Sequence, residues 1–87
     1  MEGRQYRGYY RGATKQVNQA VETIHLAAER ANATVTELVS TRETADQEYT
    51  FSFRADFRGL HVNETRRRFF SELAQNRYIS SVEENPL

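Results

Sequence analysis

The sequence predicts an α+β domain in which two helices cover one face of an antiparallel sheet. Two patterns carry this prediction. Apolar residues recur every three or four positions over 14–31, which is typical of one helix face, and large apolar residues alternate with polar ones over 49–57, which is typical of a half-buried strand. Because each element has only one apolar side, the elements must bury those sides against one another.

Length and composition indicate one small folded domain. The 87 residues are too few for two cores, and 38% hydrophobic residues with no net charge exclude a disordered chain. Balanced charge also argues against generic binding to nucleic acid. No apolar run exceeds three residues, so we expect a soluble, cytoplasmic chain without membrane insertion or signal peptide. Cysteine is absent, which excludes disulfides and thiol chemistry.

Residues 1–12 precede the main pattern and are predicted to form either a basic tail or an edge strand. They combine glycine, arginine and tyrosine without a clear apolar period. A helix of about 17 residues should begin at Thr14, as the N-cap, and end at Asn32, which suits a left-handed C-cap. Leu26 falls on the otherwise polar side of this helix.

Two strands should follow and form a hairpin. The segment 33–41 is rich in threonine and valine, and 48–57 alternates strictly, with a polar loop at 44–47 between them. In the second strand the aromatic residues must face the helices, because the polar residues between them cannot form a core. The opposite face of the sheet is therefore expected to be polar.

A second helix is predicted from a cap at Asn63 to about residue 76, followed by a short strand over 78–84. The domain is thus assigned to 13–84, with 85–87 as a tail that begins before proline. Right-handed crossovers would place the last strand beside the first and 33–41 at an edge. This arrangement is the ferredoxin-like α/β plait, with three or four strands.

Self-association is expected, because a domain of this size buries little surface on its own. The edge strand 33–41 carries neither proline nor lysine to discourage pairing with another strand. We therefore predict a homodimer whose contacts include Leu26, Val35 and Val39.

The hairpin and second helix resemble an ACT-type regulatory domain. The resemblance rests on Leu38–Thr44, on the aromatic strand that closes with Asp56-Phe57-Arg58-Gly59, and on Ile79–Val82. It covers about residues 17–83 and is similar to the amino-acid-sensing domain of prephenate dehydratases. The same element order is similar to the cytosolic domain that ends MgtC-type membrane proteins. The resemblance implies a regulatory, dimeric module that senses a small molecule such as an amino acid.

Residues with catalytic potential are scattered along the sequence. His25 and His61 have no spacing typical of a catalytic or metal site. Asp56, Glu48 and Arg54 are more typical of cross-strand salt bridges on the polar face than of a site for a small zwitterion. We therefore predict no catalytic residues, no metal and no cofactor. The sequence favours a non-catalytic module that senses a small ligand or associates with itself.

An arginine-mediated nucleic-acid or phosphate binder is the alternative interpretation. Arginine outnumbers lysine eleven to one, and arginine suits bidentate phosphate contacts. An N-terminal arm of tyrosines and arginines could add base stacking, whereas the strand 48–57 offers no aromatic residue on the face away from the helices. The composition favours a small molecule over nucleic acid as partner. The candidate ligand or phosphate residues are Arg54, Arg58, Arg66, Arg67 and Arg68.

Overall fold

The computed structural model of the chain describes residues 2–10, 14–42 and 49–86. Its strands form one four-stranded antiparallel sheet in the order β2-β3-β1-β4, and both helices lie on the same face. The predicted ferredoxin-like arrangement is thereby confirmed, including the edge position of β2. The elements are β1 (Glu2–Tyr10), α1 (Thr14–Arg30), β2 (Ala33–Arg42), β3 (Tyr49–Phe57), α2 (Val62–Gln75) and β4 (Ile79–Pro86).

The core lies between the helices and the aromatic side of β3, as the alternation predicts. Phe51, Phe53 and Phe57 are all buried. The Phe53 ring stacks on Tyr6 with centroids 5.0 Å apart, and Phe69 of α2 meets Tyr6 edge-on at 5.3 Å. Such aromatic pairs contribute beyond the area they bury, so this cluster joins the sheet to α2.

The N-terminal segment is a central strand, which corrects its interpretation as a tail or an edge strand. β1 pairs with β3 on one side and with β4 on the other. Tyr6 and Tyr10 point into the core and are buried, so they supply the apolar side that secures the strand. Gly8 lies between them, and a Cβ there would come within 2.7 Å of the Phe51 ring and 2.1 Å of the Ser81 carbonyl oxygen.

The helix ends agree with the sequence at α1 and differ at α2. Asn32 adopts the predicted left-handed conformation after α1, with φ 52°. The N-cap of α2 is His61 rather than Asn63, and the Thr65 hydroxyl donates to the His61 carbonyl oxygen at 2.8 Å. Val62 packs against the core at this earlier start, which accounts for the shift.

The two edge strands are β2, which contains a bulge, and β4, which extends further than expected. The register between β2 and β3 shifts between Thr36 and Val39, and Glu37 within this bulge has φ 56°. Asn85 and Pro86 belong to β4 rather than to a C-terminal tail. An edge position suits Pro86, because a proline cannot donate to a further strand.

Two further expectations concern the loop after β2 and membrane insertion. The predicted loop at 44–47 and Glu48 lie outside the described residues. Over the described part, neither helix combines the length and the apolar character that crossing a bilayer requires.

Candidate functional site

The face of the sheet opposite the helices, here called the open face, holds a depression of about 710 Å³. All four strands contribute to it, which places it over the middle of the sheet. We call it the sheet groove. Its lining includes Arg7, Tyr9, Val39, Thr50, Ser52 and Glu83.

Strand alternation places these residues on the open face. Because Tyr6 and Tyr10 of β1 face the core, the intervening odd-numbered residues Arg7 and Tyr9 face the other way. The register sets Arg7 between Ser52 of β3 and Glu83 of β4. The sequence could have indicated this only if residues 2–10 had been assigned to a strand.

Aromatic and apolar surface is exposed within the groove. Tyr9 is 41% exposed and Val39 is 54% exposed, both on the open face. Arg7 is also exposed, and no hydrogen bond or ion pair joins its side chain to another described residue. The groove therefore offers a ring and a guanidinium group that have no partner within the described chain.

Beyond the groove, the open face carries an ion pair. Arg54 donates to Asp56 in a bidentate arrangement, with Nε to Oδ2 and Nη2 to Oδ1 both at 3.1 Å. This hydrogen bond, the charge of Asp56 and the nearby Glu37 raise the pKa of Arg54. The pair is a salt bridge, as expected, but it joins two residues of β3 rather than two strands.

The five arginines predicted as a ligand or phosphate site lie in different parts of the fold. Arg54 is on the open face, and Arg58 is exposed after β3. Arg66, Arg67 and Arg68 are on α2, on the other side of the sheet, where the last two are exposed. The structure does not bring Arg54 together with the α2 arginines.

Arg66 belongs to a hydrogen-bonded cluster that the sequence did not indicate. Its Nη1 lies 2.5 Å from Glu84 Oε1, and the two side chains are only 14% and 17% exposed. The Tyr6 hydroxyl donates to Glu84 Oε2 at 2.7 Å. Burial is the largest cause that raises the pKa of Tyr6, followed by this hydrogen bond and the negative charge of Glu84. The cluster fastens α2 to β1 and β4.

The predicted self-association residues lie on different surfaces. Leu26 is 49% exposed on α1, whereas Val39 lies on the open face. Val35 is half-buried and packs against the core. Leu26 and Val39 thus lie on opposite sides of the sheet.

The histidines also stand apart. His25 is exposed on α1, and His61 Nδ1 lies 4.0 Å from Glu64 Oε2 in an exposed pair at the start of α2. Within the described ranges, no three side chains of the types that bind metals converge on one point.

Solved structures that share this architecture include the following two proteins. The solution structure of the C-terminal domain of the MgtC protein from Mycobacterium tuberculosis matches with a TM-score of 0.79 and 16% identity, covering 100% of this chain and 88% of that one. The likeness is one of fold. The crystal structure of formyltetrahydrofolate deformylase from Burkholderia mallei matches with a TM-score of 0.64 and 17% identity, covering 99% of this chain and 28% of that chain. No family model and no curated protein matches the sequence.

Proposed function

We propose that the chain is a non-catalytic regulatory module of the ACT-like kind, which binds a small ligand in the sheet groove or associates with a second copy of itself. The observation that carries this proposal is the groove of about 710 Å³ on the face that the helices leave uncovered. Pockets of 300 to 1,000 Å³ are typical of small-molecule sites. Like the homodimer, a cytoplasmic location is part of the proposal.

Two further observations support a binding role over catalysis. Candidate acid–base groups stand apart, since His25 lies on α1, His61 lies before α2, and Asp56 is held by Arg54. The fold also forms the C-terminal domain of one solved protein and matches only 28% of another chain, as expected of a module that serves a larger activity.

The β2 bulge narrows the routes to self-association. Bulges on edge strands hinder pairing with further strands, and Glu37 sits within this one at φ 56°. Contact through Leu26 on α1 or Val39 on the open face is therefore favoured over extension of the sheet.

A thermal-shift screen and sedimentation together test the proposed function. A small molecule bound only by the native state raises the melting temperature by mass action. For self-association, Leu26→Lys should convert a dimer to a monomer if α1 is the contact, and Val39→Lys should do so if the open face is. Asn63→Lys, at an exposed residue of α2, adds the same charge outside both surfaces and serves as the control. A monomer whose melting temperature no amino acid, nucleotide or ion raises would refute the proposed function.

A further inference from the structure

Tyr9 and Arg7 project from the same face of β1, the strand that runs through the middle of the sheet groove. They are two residues apart, which corresponds to about 6.6 Å along a strand. The Tyr9 side chain is 41% exposed, and the Arg7 guanidinium forms no bond with another described residue. An exposed ring and a guanidinium group are thus held side by side on a rigid strand.

These two groups have complementary uses in ligand binding. The face of an exposed tyrosine stacks with planar bases, and a guanidinium group binds phosphate through parallel hydrogen bonds. Thr50, Ser52 and Ser81 add hydroxyl groups to the lining. We propose that the sheet groove binds a nucleotide unit, with the base on Tyr9 and the phosphate at Arg7. This inference rests on the proposed function, because it names the ligand class of the same groove.

Glu83 determines how the affinity is shared between the two contacts. It lies opposite Arg7 in the register of β1 and β4, on the same open face. Its carboxylate offsets part of the attraction for a phosphate and can accept hydrogen bonds from ribose hydroxyls or base amino groups. A phosphate alone should therefore bind poorly, and the ring contact with Tyr9 should supply most of the affinity.

Base stacking was not expected from the sequence, because β3 has no aromatic residue on the open face. β3 does place Thr50 and Ser52 there, as that argument assumed. The ring comes instead from Tyr9 of β1, the neighbouring central strand. The open face therefore does offer an aromatic residue on which a base can stack.

The first experiment titrates ¹⁵N-labelled protein with adenosine monophosphate at 50 mM salt. Amide signals of β1, β3 and β4 around the groove should shift, and those of α1 and α2 should not. Ribose 5-phosphate should give little response, because it lacks the base. A single-stranded tetra-adenylate distinguishes the two sources of this chemistry: affinity equal to that of the mononucleotide indicates a free nucleotide, and tighter, salt-dependent binding indicates a strand.

Variants test the two contacts separately. Tyr9→Leu should weaken binding about tenfold, whereas Tyr9→Phe, which keeps the ring, should retain it. Arg7→Gln should weaken binding and reduce its salt dependence, whereas Arg30→Gln, the same charge change at an exposed arginine of α1, should leave both unchanged. Thermal melts of each variant confirm that it is folded.

Three results would overturn the inference: no response of the groove to adenosine monophosphate, equal binding by Tyr9→Leu and Tyr9→Phe, or equal losses for Arg7→Gln and Arg30→Gln. Its failure is distinguishable from that of the proposed function. If amino acids shift the signals of the groove but nucleotides do not, the nucleotide inference is refuted and the proposed ligand-binding function is kept.

Discussion

At the scale of single residues, Glu37 has the most strained backbone conformation among the described non-glycine residues. Its φ of 56° lies in the left-handed region, as does that of Asn32. Asparagine tolerates this region through local hydrogen bonding, whereas a glutamate there is disfavoured by about 1 kcal/mol or more. The bulge that protects the β2 edge is therefore formed at a cost in stability.

Glu37→Gly should accordingly stabilise the protein by about 1 kcal/mol, because glycine adopts positive φ without a Cβ clash. Urea unfolding followed by circular dichroism measures the change. Glu22→Gly, in the exposed middle of α1, is the matched control and should lose about 1 kcal/mol. If Glu37→Gly also destabilises the protein, contacts of the Glu37 side chain outweigh its backbone strain.

At the scale of elements, the cluster of Arg66, Glu84 and Tyr6 joins α2 to the two strands beneath it. Its ion pair is largely shielded from water. The ion pair between the two helices is exposed: Arg30 Nη1 lies 3.9 Å from Glu72 Oε1, and the two side chains are 70% and 36% exposed. Shielded pairs are costly to break, because the remaining charge is left buried. Exposed pairs contribute little.

Glu84→Gln should therefore reduce the free energy of unfolding by about 2 kcal/mol, since it weakens the contact with Arg66 and removes the negative charge beside that shielded cation. Glu72→Gln removes the same charge from the exposed pair and should cost less than about 0.5 kcal/mol. Urea unfolding of both variants at one pH provides the comparison. Similar losses in the two variants would mean that solvent screens the Glu84 pair as well.

At the scale of the molecule, the elements whose apolar pattern is complete were predicted well. α1 and β3 each present an unbroken apolar face to the core, and their bounds agree with the sequence to within a residue. β1 was misjudged because only two of its core-facing positions, Tyr6 and Tyr10, are large and apolar. Its other core-facing positions include Gly8 and Arg4, which carry no hydrophobic signal.

The sequence pointed to the N-terminal tyrosines and arginines, but it did not place them in a groove on the sheet, for the same reason. The groove depends on Arg7 and Tyr9 lying in a central strand, and only long-range pairing with β3 and β4 establishes that. Prediction of charged clusters from proximity in sequence also failed to anticipate Glu84 as the partner of Arg66, since the two are 18 positions apart. Local periodicity identifies elements, but it carries no information about which strands become neighbours.

The two buried tyrosines make the whole fold sensitive to alkali. Burial is the main cause that raises the pKa of both Tyr6 and Tyr10 above the ordinary value of 10.0. The unfolded chain therefore loses these protons first. The contribution of the two tyrosines to the free energy of unfolding is fully present below about pH 10. It decreases as the pH rises further toward the folded-state pKa, by up to about 1.4 kcal/mol per pH unit for each tyrosine. Thermal melts between pH 9 and 11.5 should show this decline. Tyr6→Phe should reduce the slope, and a melting temperature that is constant across this range would contradict the assignment.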